Sequence, residues 1–327
     1  MSTPALDVSA VTAFVADATA APSLHNAQPW KFRFVRDTGI LRLYADPERT
    51  LPRTDPDDRE LHLGCGAALF NLRVAATAAG REPVTRLLPD PAEAELLAEV
   101  DLTRTAHPDE ALAALQPAIR CRRTSRNPFR EDDIPEPVRD RLCEAARLEG
   151  AGLVFPGPWH VGSVLELVRD AEGRESTDVA MRDETARWAR TDPAAEANDG
   201  IPVEAFGPAR HGAAAPVRDF SLHRPMPGRT WARFEKRPQI ALLGTAHDRP
   251  ADWLRAGQAL ERVLLRATVD GLVASVTSQP LEWPELRWAL RDPVSDMGCV
   301  QMVIRLGYGP QGHPTPRRPV TDLLEIV

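Results

Sequence analysis

Two stretches of the chain carry apolar residues at helical spacing and in the same register. Leu69, Leu72 and Ala76 recur between Gly66 and Gly80. The stretch from Gly257 to Gly271 holds the corresponding residues Leu260, Val263, Leu264 and Ala267. Residues three and four positions apart lie on one face of a helix, and glycine is a favoured residue just after a helix. The pattern predicts two buried helices that close at Gly80 and Gly271.

The segments around these helices repeat as well. Each helix is followed by a Val-Thr pair and later by a short apolar strand, at Leu96 to Leu102 and at Val300 to Leu306. Each is also preceded by a shorter amphipathic helix, at Val8 to Ala21 and at Pro137 to Leu148. A repeat of this length indicates two copies of one α+β unit. We therefore expect an α+β fold with two duplicated halves, 1–112 and 113–327.

One region has no counterpart in the first half. About seventy residues rich in Ala, Pro, Arg and Asp separate the amphipathic stretch Gly162 to Arg169 from the strand Gln239 to Leu243. A loop of this length is uncommon without a functional role. We expect a lid at about 180–236. Its aromatic residues could form a small core of their own or contact a bound ligand, and the sequence leaves both readings open.

Composition and charge narrow the function classes. The 327 residues are 43% hydrophobic, which is typical of a globular protein. The net charge of −7 disfavours a nucleic-acid or anionic-membrane partner. No apolar run is long enough to cross a bilayer, so we expect a cytoplasmic protein. Four scattered cysteines and eight unpaired histidines predict neither disulfides nor a metal site.

Two polar segments lie about a hundred residues apart. Ala21 to Trp30 reads Ala-Pro-Ser-Leu-His-Asn-Ala-Gln-Pro-Trp and offers hydroxyl, amide and backbone groups suited to a planar heterocycle. Arg122 to Arg126 reads Arg-Arg-Thr-Ser-Arg and offers three guanidiniums that suit a phosphate. Together they predict one ligand with a flat ring at one end and a phosphate at the other.

Each segment alone has a simpler interpretation. A short basic cluster is most often a solvated surface, and Gln28-Pro29-Trp30 alone is a turn that enters a strand. Ser23 and His25 could suggest a nucleophile and its base, but no orienting acid lies nearby and no G-x-S-x-G motif occurs. The phosphate interpretation depends on both segments and the duplication occurring together.

The two segments resemble the flavin-binding signatures of the nitroreductase family, Ala-Pro-Ser-x-x-Asn-x-Gln-Pro-Trp-x-Phe and Arg-Arg-Ser/Thr-x-Arg. The stretch Leu306 to Pro319 is similar to that family's closing strand and basic tail. In that family two subunits share two FMN sites, whereas here each contribution occurs once on one chain. This arrangement resembles the Acg-like subfamily, whose fused halves form an intramolecular pseudo-dimer with a lid. Asp199 to Pro202 and Gln279 to Arg287 also look like its signatures.

The resemblance assigns residues to three parts of an FMN molecule. The phosphate would be held by Arg122, Arg123, Thr124, Arg126, Arg317 and Arg318. The ring and its polar edge would be lined by Pro22, Ser23, Asn26 and Gln28. A backbone N–H near the flavin N5 would come from the segment Thr277, Ser278, Gln279, Pro280 and Leu281. Thr124 stands where the family usually has Ser, which preserves the hydroxyl.

The resemblance implies an FMN-dependent oxidoreductase. NAD(P)H would reduce the flavin, and an electron-poor small molecule such as a nitroaromatic or quinone would reoxidise it. Because the cofactor carries this chemistry, no single catalytic side chain is demanded. The alternative is a non-catalytic flavin-binding protein whose lid closes the single site. Since fused halves complete the interface internally, we expect a monomer.

Overall fold

The computed structural model describes residues 6–105, 109–192, 197–210, 215–222 and 224–327. Within these ranges the α-helices are α1 (Val8–Ala18), α2 (Arg59–Ala78), α3 (Glu110–Ala113), α4 (Gln116–Cys121), α5 (Glu136–Leu148), α6 (Pro158–Thr177), α7 (Val179–Trp188), α8 (Pro250–Val269) and α9 (Pro284–Ala289). The long strands are β1 (Trp30–Val35), β2 (Ile40–Ala45), β3 (Val84–Leu87), β4 (Leu96–Asp101), β5 (Gly152–Val154), β10 (Gln239–Thr245), β11 (Val273–Thr277), β12 (Cys299–Gly307) and β13 (Leu324–Ile326). Four two-residue strands lie between them, β6 (Ala189–Arg190), β7 (Ile201–Pro202), β8 (Ala209–Arg210) and β9 (Trp231–Ala232). No described helix is both long and apolar enough to span a membrane.

Two sheets form the centre of the fold. The first has the strand order β13-β1-β2-β4-β3, and the second has the order β5-β10-β12-β11. Neighbouring strands are antiparallel except β1 and β13, which pair in parallel with Phe32 opposite Leu324. The last strand of the chain therefore completes the sheet that the first residues begin.

The two predicted buried helices, α2 and α8, cross at a pair of glycines. A Cβ added at Gly66 would lie closer than 3.0 Å to the carbonyl oxygen of Leu254, and one added at Gly257 would lie equally close to that of Leu63. The contact is reciprocal, since each glycine meets the residue three positions before the other. Only glycine permits backbones to approach this closely. The glycines thus fix how the two helices pack.

The elements of the two halves occur in matching order. Residues 1–112 contain α1, β1, β2, α2, β3 and β4 in that order, and the later residues contain α5, β5, β10, α8, β11 and β12 in that order. The comparison leaves out α3, which spans the expected boundary at residue 112, and α4, α9, β13 and the elements between β5 and β10. Matched strands occupy matched places in the two sheets, with β13 as an extra edge strand in the first. Each sheet has its own buried apolar cluster, and α2 and α8 contribute to the packing of both.

The inserted region contains one helix and two short strand pairs. Helix α6 holds the stretch Gly162 to Arg169 and leads into the region, α7 begins it, and β6–β7 and β8–β9 are parallel pairs. Phe206 and Phe220 are buried in one small cluster with Ile201 and Ala205. Phe234 belongs to another, and Trp231 is exposed. The inserted region therefore has small cores of its own, and Phe220 also reaches the cavity described next.

Candidate functional site

One cavity lies where the first half, the second half, the inserted region and the C-terminal tail meet. Its lining comes from the loop after α1, from α2, from the segment after α4, from α8 and from the end of β11. The lining residues that the sequence predicted are Pro22, Ser23, Asn26, Arg122, Arg123, Thr124, Arg126, Thr277, Ser278 and Arg317. Ten predicted site residues from distant parts of the chain thus line a single cavity.

The loop from Pro22 to Gln28 is held in an unusual backbone conformation. His25, Asn26 and Gln28 have φ values of 52°, 56° and 54°. Non-glycine residues adopt this left-handed region at a cost, and such residues concentrate at functional sites. The Ser23 hydroxyl accepts a hydrogen bond from the Gln28 backbone N–H (2.9 Å), and the Asn26 side-chain amide donates to the Gly200 carbonyl (2.9 Å). The loop is therefore fixed by its own residues and by the inserted region.

Gln28 and Arg318 lie outside the cavity lining. The Gln28 side chain has no exposed surface; its amide donates to the Asn198 carbonyl (2.9 Å), and its oxygen accepts from the Arg318 backbone N–H (2.9 Å). The Arg318 guanidinium pairs with Asp46 at 3.0 Å. The tail is thereby fastened to the loop. The sequence assigned both residues to the ligand, and the structure uses their polar groups to join protein segments instead.

A first cluster of positive charge consists of Arg122, Arg123 and Arg317. Arg122 is buried, donates to the Ala20 carbonyl (3.1 Å) and lies 3.4 Å from a carboxylate oxygen of Glu261. Arg317 donates to the backbone oxygens of residues 19, 20 and 21. Burial, together with the charges of Arg122 and Arg123, lowers the pKa of Arg317 to about 9. A bound anion would relieve this repulsion.

A second cluster of positive charge consists of Arg126 and Arg218. The Arg126 guanidinium lies over the Phe220 ring, 4.9 Å from the centroid, and donates to the Ala205 carbonyl (2.9 Å). Burial and the charge of Arg218 lower the pKa of Arg126 to about 10. Arg218 also lies 3.4 Å from the His25 ring nitrogen Nε2. The sequence placed Arg126 with Arg122, whereas the structure groups it with the inserted region.

Apolar side chains also line the cavity. Leu63, Leu260, Val276 and Met302 contribute from four elements, and a Cβ at Gly64 would meet the Ser23 side chain at 3.2 Å. Aliphatic walls with a few polar groups are typical of sites for planar cofactors. The cavity therefore combines apolar walls with two groups of arginines.

The segment after β11 lies partly at the cavity and partly in the protein interior. Thr277 and Ser278 line the cavity, and the Thr277 hydroxyl donates to the Pro216 carbonyl (2.8 Å). Gln279, Pro280 and Leu281 form a 3-10 turn and are buried. The Gln279 side chain donates to Glu175 (2.9 Å), and Leu281 packs in the core of the second half. These last three residues lie outside the lining.

Sequence reasoning missed several lining residues. The cavity is also lined by Leu24, His25, Glu60, Leu63, Gly64, Ile201, Arg218, Phe220, Leu260, Val276, Met302, His313 and Thr315. His25 and Leu24 lie inside the first motif and could have been included. Arg218 and Phe220 reach the site through tertiary packing of the inserted region, for which the local sequence carries no signal.

Similar proteins occur in Mycobacterium tuberculosis (strain ATCC 25618 / H37Rv). The protein named "Putative NAD(P)H nitroreductase Rv3131" is 32% identical over 99% of this chain and 94% of its own length. The chain belongs to the nitroreductase family. A second relative from the same strain, "Putative NAD(P)H nitroreductase acg", is 29% identical over 94% of this chain and 92% of its own length. No protein-family model matches the chain.

Solved structures of nitroreductases are more distant. The FMN-dependent nitroreductase NfnB of Mycobacterium smegmatis, solved in complex with NADPH, is 18% identical with a TM-score of 0.36. The alignment covers 62% of this chain and 89% of the NfnB chain. A structure from Anabaena variabilis named "putative nitroreductase" aligns over 92% of this chain and 73% of its own chain, with 12% identity and a TM-score of 0.43.

Proposed function

We propose that the protein is an FMN-dependent oxidoreductase of nitroreductase type. A hydride from NADH or NADPH would reduce the flavin, and an electron-poor acceptor such as a quinone or nitroaromatic would reoxidise it. The supporting observation is that the Pro-Ser-x-x-Asn loop, the Arg-Arg-Thr-Ser-Arg segment and the basic tail line one cavity. Membership of a family with named NAD(P)H nitroreductases agrees with this reading.

The donor set fits a flavin mononucleotide. Arg122, Arg123 and Arg317 are guanidiniums grouped at one place, where Thr124 adds a hydroxyl. Guanidiniums pair bidentately with phosphate and keep their charge. The apolar walls suit a flat ring, and the fixed loop from Pro22 to Asn26 supplies polar groups for its edge. When bound, FMN would supply the two-electron chemistry.

The chain's own residues would bind, orient and shield this cofactor. The arginines would anchor the phosphate, while Ile201 and Phe220 would limit access of water from the side of the inserted region. Thr277 and Ser278 lie at the cavity wall and would face the bound ligand. Gln279, Pro280 and Leu281 would then shape the turn behind that wall rather than contact the ligand.

A second candidate function is flavin sequestration with little turnover. The observation that favours it is the contribution of Ile201, Arg218 and Phe220 from the inserted region to the cavity. Pro216 and Gly200 carbonyls also accept hydrogen bonds from Thr277 and Asn26. An inserted region held to the cavity wall by these two hydrogen bonds would leave less room for a nicotinamide ring. Reduction of bound flavin by dithionite but not by NAD(P)H would favour sequestration.

We also propose that the chain is an internal duplication with one FMN site. The halves 1–112 and 113–327 have matching element order, and α2 and α8 make a reciprocal glycine contact. One half supplies the loop from Pro22 to Asn26, and the other supplies the segment from Arg122 to Arg126. A monomer in the cytoplasm, where NAD(P)H is available, remains our prediction.

The direct test of cofactor binding is a titration of the purified, FMN-free protein with FMN. Flavin fluorescence and absorbance would follow binding, with riboflavin, which lacks the phosphate, as the comparison ligand. We expect one FMN per chain and much weaker binding of riboflavin. Absence of FMN binding, or equal affinity for riboflavin, would contradict the phosphate assignment.

A further inference from the structure

A buried ionic network lies directly behind the cavity wall. The Ser278 hydroxyl, at the wall, donates to Glu282 Oε1 (2.8 Å). The same Glu282 oxygen pairs with Arg218, whose other terminal nitrogen lies 3.6 Å from Glu175. The side chains of Glu282, Glu175 and Arg218 are all less than one-tenth exposed. A hydroxyl at the cavity is therefore hydrogen bonded to a buried carboxyl group.

The ion pairs in this network do not balance. Arg218 carries one positive charge and contacts two carboxyl groups, those of Glu282 and Glu175. Its positively charged neighbour Arg126 lies over Phe220 and donates to the Ala205 carbonyl, and no ion pair within the described residues joins it to either carboxyl group. The next carboxyl group, Glu60 on α2, pairs with Arg59. An uncompensated buried carboxylate is costly, and taking up a proton removes that cost. One of the two groups that share Arg218 is therefore expected to hold a proton.

Hydrogen bonding indicates which group holds it. Both Glu175 oxygens have side-chain donors, Thr185 at 3.2 Å and Gln279 at 2.9 Å. Among the described residues, Glu282 Oε2 has no hydrogen-bond partner. The absence of a donor at Oε2 favours the neutral form of Glu282. Burial raises the pKa of Glu282 to about 8, with Glu175 and Glu60 adding to the rise and Arg218 and Ser278 opposing it.

We propose that Glu282 and Ser278 form a proton relay that serves the electron acceptor. The proposal rests on the oxidoreductase function proposed above. A quinone that receives a hydride at one end needs one proton on its carbonyl oxygen to become a hydroquinone. In the hydrogen bond described above Ser278 is the donor and Glu282 Oε1 is the acceptor. For the transfer, the Glu282 carboxyl group rotates so that its protonated oxygen faces Ser278. The Ser278 hydroxyl proton then passes to the quinone oxygen, and the Glu282 proton passes to Ser278. Glu282 becomes a carboxylate beside Arg218.

After the transfer, Glu282 must be reprotonated from outside the network. Glu282 also borders a separate surface cavity, together with Asp55, Arg59 and Arg287. A proton from water there restores the neutral Glu282 after each turnover.

The first test detects the proton directly, without turnover. Infrared difference spectra of the protein in H₂O and D₂O, recorded across pH 6–9, report the carbonyl stretch of protonated carboxyl groups. Glu282→Gln should remove one such band, which titrates near the upper end of this range in the unaltered protein. The matched control Glu285→Gln, an exposed glutamate three residues away, should leave the band in place. A spectrum unchanged by Glu282→Gln would overturn the proposal.

The second test isolates the acceptor half of the reaction. The FMN-loaded protein is reduced chemically with dithionite and mixed with a quinone, so the result does not depend on NAD(P)H. Glu282→Gln and Ser278→Ala should each slow reoxidation by about a hundredfold and abolish its decline at high pH. Ser278→Thr, which keeps the hydroxyl, should restore most of the rate. Unaltered rates and pH profiles in both variants would refute the relay, whereas failure of NAD(P)H reduction would bear only on the proposed function.

Discussion

Arg123 lies in the first positive cluster but makes fewer contacts with the protein than the other two arginines. It is partly buried at the cavity, and its hydrogen bond within the described chain goes to the Arg122 backbone oxygen (2.7 Å). Arg122 and Arg317, by contrast, are tied to several backbone oxygens or to Glu261. Arg123 is therefore the arginine whose removal should affect the ligand without disturbing the fold.

We expect Arg123→Ala to weaken FMN binding by about 10- to 100-fold, because one charge-assisted phosphate contact contributes about 1.5–3 kcal/mol. Stability of the FMN-free protein should be nearly unchanged. The matched control is Arg120→Ala, which removes a more exposed arginine paired with Asp17 outside the cavity lining. Fluorescence titration measures both. Equal FMN affinity in the two variants would argue against a phosphate at this place.

Three buried carboxyl groups make stability depend on pH. Burial is the main cause that raises the pKa of Asp55 to about 7, of Glu261 to about 7 and of Glu282 to about 8. A carboxyl group whose pKa is raised on folding stabilises the protein below its unfolded pKa and loses this contribution as pH rises through the folded value. Burial lowers the pKa of His25 and of His62. These two histidines therefore change the stability of the protein only below about pH 6.5.

The FMN-free protein should therefore lose stability between pH 6.5 and 8.0, by on the order of 2 kcal/mol. Urea unfolding at the two pH values measures the loss. Glu282→Gln should make the dependence shallower, because one titrating group is gone. Stability that is constant or rises across this interval would show that these carboxyl groups are already ionised at pH 6.5.

At the scale of secondary structure, the crossing of α2 and α8 depends on Gly66 and Gly257. We expect Gly66→Ala to destabilise the protein by about 1–3 kcal/mol or more, because the new methyl group would meet the Leu254 carbonyl. Gly173 in α6 has nothing within 4 Å of the same position. Gly173→Ala should thus be neutral or stabilise by up to about 1 kcal/mol. Unfolding midpoints that fall equally for both variants would contradict this packing.

Local pattern predicted most of the elements that form the two sheets. The helical spacing at Leu69 and Leu260 lies within α2 and α8, and the expected strand at Leu96 to Leu102 is β4 (Leu96–Asp101). The spacing of apolar residues and the positions of turn residues belong to short segments of the chain, so both can be read directly from the sequence. The expected strand at Val300 to Leu306 is likewise contained in β12.

The sequence could not reveal how the inserted region meets the site. Arg218 and Phe220 follow no motif, and they reach Arg126 and His25 through packing between segments far apart in the chain. Gln28 belongs to a recognisable motif, yet its amide joins the loop to Asn198 and the tail. A motif identifies which residues are close to a site, whereas tertiary contacts decide which polar atoms remain available to a ligand.

For the whole molecule, the C-terminal strand joins the two halves. The β13 strand pairs with β1, and Leu323 is buried in the core of the first half. The second half thus completes the sheet of the first within one chain. We expect a monomer of 35.9 kDa by light scattering at micromolar concentration. A mass twice as large would show that two copies of the chain associate.

We expect the cavity to hold FMN in a form that NAD(P)H can reduce. Anaerobic stopped-flow mixing of the FMN-loaded protein with NADH or NADPH tests it most directly, with dithionite as the positive control for flavin that can be reduced. We predict that the yellow flavin absorbance bleaches with at least one of the nucleotides and returns when a quinone is added. Bleaching by dithionite alone would contradict the oxidoreductase reading and leave a flavin-sequestering protein.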